Sequence, residues 1–343
     1  MNKYCCHVFV LSIGLLSGCH DAPRDNPLDP QSPQFQSTAK VSGTVTILNQ
    51  NTPLSSATVT SIEDGIRTLT NSYGTFSFDH LTVGPQTLVC TKENYSPDTQ
   101  HVVLRSQSIG QVHFSLNGAP NVFSQNIYTR KIDQYYPSPQ YFVDVSAAVT
   151  DPNGITDIDS VWFMVTFPSV GSTLDTLIFP LNYSVATRLF QLTLFKYDLP
   201  TNTIQWLVNK RLQIRSRDIH SAINYGDPFY VSRVIENTAN PTYPATNVIT
   251  SIKDTTGPTP QLRWSPPDVT FPYTYSLTIS ETISGVHNDV WSYSHLGSIY
   301  NEFQYPGDNS GRVLAPGEYV WTITVVDDFG NYSRSKEASF VVK

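Results

Sequence analysis

Thr70-Asn71-Ser72-Tyr73-Gly74-Thr75-Phe76-Ser77-Phe78 decides the fold class of this chain. Asn71 to Gly74 are turn residues, because Asn and Gly tolerate the backbone angles a tight reversal needs. Phe76 and Phe78 then flank Ser77, so both rings share one face of an extended strand. The same alternation extends outward. Upstream, Val41, Gly43, Val45 and Ile47 alternate, Pro53-Leu54 turn the chain, and Ala57, Val59 and Ser61 alternate again. Downstream, Leu81 and Val83-Gly84-Pro85 precede a strand from Gln86 to Thr91; Val102 and Leu104, then Val112, Phe114 and Leu116, close the set. About seven short strands at regular spacing predict a β-sandwich over residues 40–118.

The order of these motifs resembles the carboxypeptidase regulatory-like (transthyretin-like) domain. The matching positions are Gly43-Thr44-Val45, Pro53-Leu54 before Ala57-Thr58-Val59, and Thr70 to Phe76, followed by Leu81, Gly84, Leu88 and Tyr95. The family often carries Asp or Glu near the position of Ser72, where this chain is neutral. The resemblance implies a seven-stranded prealbumin-like sandwich, related to carbohydrate-binding folds and accessory rather than catalytic.

The rest of the chain keeps the two-residue period. In residues 119–236, Val143, Val145, Ala147 and Val149 alternate, as do Val161, Phe163 and Val165; Phe190, Leu192 and Leu194 share a face, and so do Leu212, Ile214 and Ser216. This stretch loosely resembles bacterial immunoglobulin-like domains, without the Cys-Trp-Cys pattern of antibodies. Residues 237–246 are rich in Pro, Asn and Thr and read as a linker. In residues 247–343, Leu262 and Trp264 mark an early strand, Tyr273, Tyr275, Leu277 and Ile279 alternate, and Tyr319 leads into Trp321, Ile323 and Val325. This resembles the fibronectin type III family. The resemblance makes Trp264 the early core Trp and Tyr319 a tyrosine corner whose hydroxyl bonds back into the preceding turn. The fold class is therefore all-β: three tandem β-sandwich domains after a lipoprotein signal peptide and a Pro-rich tether.

The N-terminus supplies that signal. Lys3 precedes an apolar run from Val8 to Leu16, too short for a spanning helix, which needs roughly 20 apolar residues. The run ends in Leu16-Ser17-Gly18-Cys19, which resembles the lipobox of bacterial lipoproteins. The resemblance implies cleavage before Cys19, removal of residues 1–18, and diacylglycerol on the Cys19 thiol. Residues 19–39 then hold the lipidated cysteine and a tether in which Pro23, Pro27, Pro30 and Pro33 recur. The chain is expected in the bacterial cell envelope. Under the sorting rule of enterobacterial lipoproteins, which the lipobox resemblance brings in, His20 in place of Asp after the cysteine implies the outer membrane.

Composition limits function. The formal net charge is −7, so nucleic acid is a poor partner, since it needs a basic footprint. Of four cysteines, Cys5 and Cys6 leave with the signal and Cys19 is lipidated, so Cys90 is left without an intrachain disulfide partner. It alternates with Leu88 and reads as a buried apolar residue. The sequence shows no Gly-x-Ser-x-Gly elbow, phosphate loop, dinucleotide fingerprint or His pair at zincin spacing. Carboxylates from distant strands could still form a glycosidase pair. The chain is read as non-enzymatic, with no cofactor.

Three constellations are candidates for binding. Asp151, Asn153, Asp157 and Asp159 put oxygen side chains within nine residues, as Ca²⁺ wants, but without EF-hand spacing. The simpler reading is an Asp-Pro-Asn-Gly β-turn followed by a polar strand edge, and no metal site is assigned. Arg211, Gln213, Arg215 and Arg217 line one strand face, either as a basic patch or as a solvated edge. Tyr135, Tyr136 and Tyr141 in a Pro-rich loop, and Trp291, Tyr293 and Tyr300 in a polar region, are candidate stacking surfaces for sugar rings. The expected partners are the membrane, through the lipid, and a glycan or surface protein. The expected role is adhesion, scaffolding or display; the alternative is carbohydrate binding for glycan uptake or degradation, and a scattered-carboxylate hydrolase comes third.

Overall fold

The computed structural model describes residues 25–26, 29, 31–35, 37–168, 174–246, 251–308 and 310–343. Cys19, His20 and the apolar leader lie outside the described residues. The chain divides into two compact units, Met1–Ala119 and Pro120–Lys343.

The first unit holds β1 (Thr38–Ile47), β2 (Thr58–Ser61), β3 (Arg67–Leu69), β4 (Thr75–Thr82), β5 (Gly84–Thr91), β6 (Asp98–Leu104) and β7 (Ile109–Leu116). One sheet runs β4-β1-β7, with β7 parallel to β1, and the other runs β3-β2-β5-β6. The core lies between them, as the alternation predicts: Val41, Val45, Val59, Leu88, Cys90 and Phe114 are fully buried. Phe114 meets Phe76 at 5.8 Å between ring centres, and Phe76 meets Phe78 edge-on at 6.1 Å. Such ring pairs add about 0.5–1.5 kcal/mol beyond area burial. Two glycines are structural requirements. A Cβ on Gly43 would lie 2.0 Å from the Val112 carbonyl oxygen, so only Gly lets β1 sit against β7. Gly74 closes the tight turn at φ +69°, a left-handed angle glycine adopts without strain.

The second unit begins with β8 (Asn121–Ile132), β9 (Gln140–Thr150), β10 (Ile158–Pro168), β11 (Leu174–Ser184), β12 (Leu189–Phe195), β13 (Arg211–Asp218) and β14 (Ile223–Tyr225). β11 pairs with β10 from Leu174 to Leu181 and with β12 through its last three residues, Asn182 to Ser184, so it links the two layers of a sandwich. The core between those layers includes Val143, Val145, Val161, Phe163, Leu212 and Ile214.

It continues with β15 (Asn240–Tyr243), β16 (Asp254–Thr256), β17 (Gln261–Ser265), β18 (Tyr273–Ile283), β19 (Val286–Gly297), β20 (Glu302–Gln304), β21 (Gly317–Asp327), β22 (Tyr332–Arg334) and β23 (Ala338–Val342). Trp264, Tyr275, Trp321 and Phe340 are buried in its core. The Tyr319 hydroxyl donates to the Ala315 carbonyl at 3.0 Å, forming the tyrosine corner.

Two boundaries differ from the sequence reading. Residues 237–246 are not a free linker: β15 pairs antiparallel with β17 and forms an edge of the sheet β15-β17-β20. Pro241 and Pro244 disguise it, yet an edge strand tolerates residues without an N–H. Nor are the last two sandwiches separate beads. β22 pairs parallel with β8, so one sheet runs β14-β13-β10-β11-β12-β9-β8-β22-β21-β18-β19.

Candidate functional site

Three carboxylates meet at one end of the second unit's first sandwich. The chain leaves β9 into a turn at Asp151-Pro152-Asn153-Gly154, where the Gly154 N–H donates to the Asp151 carbonyl at 3.0 Å. A single 3-10 turn, Ile155–Asp157, then delivers Asp157 to the start of β10. Asp218, the last residue of β13, is in register with Ile158 beside it, and the Ile219 N–H donates to the Asp157 carbonyl at 2.9 Å. Strand pairing thus brings together residues some sixty positions apart in sequence. One carboxylate oxygen from each of Asp151, Asp157 and Asp218 lies within 4.8 Å of the others.

Two carboxylate oxygens of the cluster, on Asp151 and Asp157, lack hydrogen-bond partners. Asp157 is 5% exposed and Asp218 1%. The Asp151 Oδ1 accepts from the Asn153 N–H at 2.7 Å, and an Asp218 oxygen accepts from the Ala222 N–H at 2.7 Å. The Oδ2 atoms of Asp151 and Asp157 are buried and have no hydrogen-bond partner. His220 Nε2 stands 3.6 Å from Asp157 Oδ1. Burial pushes the Asp151 carboxyl up to about 6; the Asn153 amide opposes this, while the charges of Asp157 and Asp218 add to it. Burial also raises Asp157, against the pull of His220. Such an arrangement favours a proton or a cation at its centre, because buried like charges disfavour joint ionisation.

Of the four oxygen-bearing residues singled out in sequence, the structure brings Asp151 and Asp157 into this cluster. Asn153 supplies its backbone N–H to the turn. Asp159 is exposed and turned to a different partner: its Oδ2 accepts from Arg217 Nε at 3.0 Å and Nη2 at 2.5 Å. Sequence reasoning misses Asp218, because no local spacing links it to Asp157. The arginine face has its own internal partners. Arg215 and Arg217 lie over the Trp162 ring at 5.6 and 5.1 Å, and Arg215 also lies over Tyr225 at 5.5 Å. These contacts favour the solvated-face reading over a basic patch.

The aromatic candidates divide. Tyr135 and Tyr136 are 76% and 93% exposed between β8 and β9, with Lys336 Nζ 5.0 Å from the Tyr135 ring centre. Tyr141 is half-buried, and its hydroxyl donates to Glu236 Oε2 at 2.8 Å. Burial, then that bond, pushes its pKa up to about 12. Trp291 is a correction. It is buried, 5.3 Å from Tyr305 and 5.8 Å from Phe303, and stacks on Tyr293 at 6.2 Å. Tyr293 packs partly buried against the same core, 4.5 Å from Phe303. These two rings hold β19 to the sandwich and do not form an open platform. Tyr300 is half-exposed in the loop after β19.

In the first unit, Cys90 is buried, and burial pushes its thiol up to about 12, so it stays a neutral apolar side chain. A groove across β4, β1 and β7 is lined by Ser42, Thr44, Ser77, Gln111 and His113. Several of its polar groups pair with one another: Gln111 Nε2 donates to Ser42 Oγ at 2.9 Å, and His113 Nδ1 is 2.9 Å from Thr44 Oγ1.

Solved structures similar to the chain match it at low identity. BcpA, the major pilin subunit of Bacillus cereus, is 9% identical with a TM-score of 0.33, over 89% of this chain and 95% of that one. The fibronectin(III)-like modules of Clostridium thermocellum CbhA are 12% identical with a TM-score of 0.30, over 65% and 92%. A DUF3823 family protein from Bacteroides ovatus is 10% identical with a TM-score of 0.24, over 57% and 98%. No curated protein matches the chain. The family evident in sequence is the one that matches: residues 40–117 fit the model of the carboxypeptidase regulatory-like domain.

Proposed function

We propose that this chain is a lipid-anchored protein of the bacterial cell envelope that displays its β-sandwiches as a non-catalytic adhesion or scaffolding element. The observation that carries this reading is Leu16-Ser17-Gly18-Cys19 at the end of a short apolar run, followed by a Pro-rich tether and then by sandwiches. Each buried CH₂ of an acyl chain contributes about 0.8 kcal/mol, so two or more chains on Cys19 make a durable anchor. Replacing Cys19 with Ala tests it: the variant should leave the membrane fraction for the soluble one. Unchanged membrane fractionation, with no incorporation of labelled fatty acid by the parent chain, refutes it.

A second reading is carbohydrate binding. It is favoured by the exposed pair Tyr135 and Tyr136, which offers flat apolar faces at a loop tip. A glycan array with the parent and a Tyr135→Ala, Tyr136→Ala double variant separates the readings. Signals lost in the variant support glycan recognition, and a flat array with retained binding to whole cells supports adhesion.

A further inference from the structure

We propose that Asp151, Asp157 and Asp218 form a binding site for a hard divalent cation, calcium. Three features converge. The first is the donor set: three carboxylates from the β9–β10 turn and the end of β13, with mutual oxygen distances within 4.8 Å. Oxygens bound to one Ca²⁺ at about 2.3–2.6 Å lie within about 5 Å of each other, whereas Mg²⁺ asks for a tighter shell near 2.1 Å. Zn²⁺ favours Cys and His donors, and this cluster is built of oxygens.

The second feature is unmet valence. The Asp157 side chain is more than nine-tenths buried, and its Oδ2 has neither solvent contact nor a hydrogen bond. Asp151 Oδ2 is in the same condition. A buried carboxylate oxygen that is left unpaired opposes folding, and two beside a third carboxylate oppose it further. His220 Nε2 stands 3.6 Å from Asp157 Oδ1, the oxygen opposite the unpaired Oδ2, and carries charge only when protonated. A bound Ca²⁺ removes the deficit and leaves further coordination positions for water or backbone oxygens.

The third is position. Asp157 immediately precedes β10, Asp218 ends β13, and Asp151 follows β9. A cation held by all three ties three strands together at one end of the sandwich. The site needs no part of the membrane-display reading and stands or falls separately from it.

The test uses the full chain, extracted in detergent, stripped with chelator and titrated with CaCl₂, MgCl₂ or ZnCl₂. Melting is followed by circular dichroism and binding by calorimetry. Half-saturation is expected near 0.1–1 mM, about the range of extracellular calcium modules. At 10–100 times that concentration the melting temperature of the second unit should rise by about 3–10 °C. Asp157→Asn and Asp218→Asn should each abolish the calcium shift and the binding heat, while Asp159→Asn keeps both. An unchanged melting temperature and no binding heat in 10 mM Ca²⁺ overturn the proposal. So does a shift that survives both Asn variants, or a response to Zn²⁺ with none to Ca²⁺. Calorimetry on the parent chain decides between these outcomes even where a variant fails to fold.

Discussion

Two Asp-led turns close core strands of the second unit: Asp151-Pro152-Asn153-Gly154 after β9 and Asp327-Asp328-Phe329-Gly330-Asn331 at the end of β21. Their backbones follow one plan. The Gly154 N–H donates to the Asp151 carbonyl at 3.0 Å, and the Gly330 N–H to the Asp327 carbonyl at 3.1 Å. In each, the Oδ1 of the leading Asp accepts the N–H two residues on, from Asn153 at 2.7 Å and from Phe329 at 2.9 Å. They part at Oδ2. Asp327 Oδ2 accepts from Asn331 Nδ2 at 3.0 Å and faces Arg233 Nε at 3.5 Å. Asn331 in turn accepts from the Thr129 N–H on β8 at 2.9 Å. Asp151 Oδ2 has no such partner and lies in a cluster with two more acids. One turn carries its counter-charge within the chain and stitches two sandwiches together. The other leaves its Asp151 Oδ2 buried without a hydrogen bond.

The largest effect should come from breaking the satisfied turn. Asp327→Ala leaves the buried Asn331 amide and the partly exposed Arg233 without their shared acceptor and should cost about 2–4 kcal/mol, since solvent screens the arginine left behind. In urea unfolding, a loss below about 1 kcal/mol would show that Asp327 does not hold the junction. Next is the unsatisfied turn. In chelator, Asp157→Asn removes one of three crowded charges and should stabilise the second unit by about 1–3 kcal/mol, the reverse of the usual core substitution. A destabilisation there would place Asp157 with Asp327 as a paired group.

The first unit shows a third treatment of a buried ionisable group, which is to keep it neutral. The Cys90 thiol stays protonated in the fold up to about 12, against 9.0 when unfolded. Between those values the folded state holds the extra proton. Stability is therefore full below pH 9 and falls as pH rises, by at most about 1.4 kcal/mol per pH unit. Denaturant melts of the parent and of Cys90→Ala from pH 8 to 10.5 check this, and equal slopes would contradict it. Tyr319→Phe removes a neutral corner bond and should cost about 1 kcal/mol in the same assay. Asp159→Asn should be the smallest change: its exposed pair with Arg217 should give a melt indistinguishable from the parent's, with or without Ca²⁺.

Sequence reading succeeds where information is local. Phe76 and Phe78, Val161 to Val165, and Tyr319 with its corner are all set by two-residue alternation or by turns of a few residues. It fails where the deciding contact is distant or the period slips. Asp218 joins Asp157 only through the pairing of β10 with β13. Trp291 sits in a strand whose residues from Val286 to Val290 are exposed. Its pairing with β18 shifts register twice, between Tyr275 and Leu277 and between Ile279 and Ser280, so simple alternation does not report which face is buried. The strand at Asn240–Tyr243 is masked by prolines that an edge position accommodates.

The parallel pairing of β1 with β7 has a mechanical consequence. β1 opens the first unit and β7 closes it, and the two are in register over eight residue pairs, from Lys40 with Ile109 to Ile47 with Leu116. A pull applied between the N-terminal tether and a grip on the second unit would drag these strands past each other lengthwise. Their hydrogen bonds run across the strands and would share the load, where a hairpin pulled from its open end yields one bond at a time. Single-molecule extension from the two termini should therefore show a distinct high-force event for the first unit, and no such event if that pairing does not carry the load. With Cys19 as the proposed anchor, the first unit is the link through which any force on the displayed sandwiches would reach the tether.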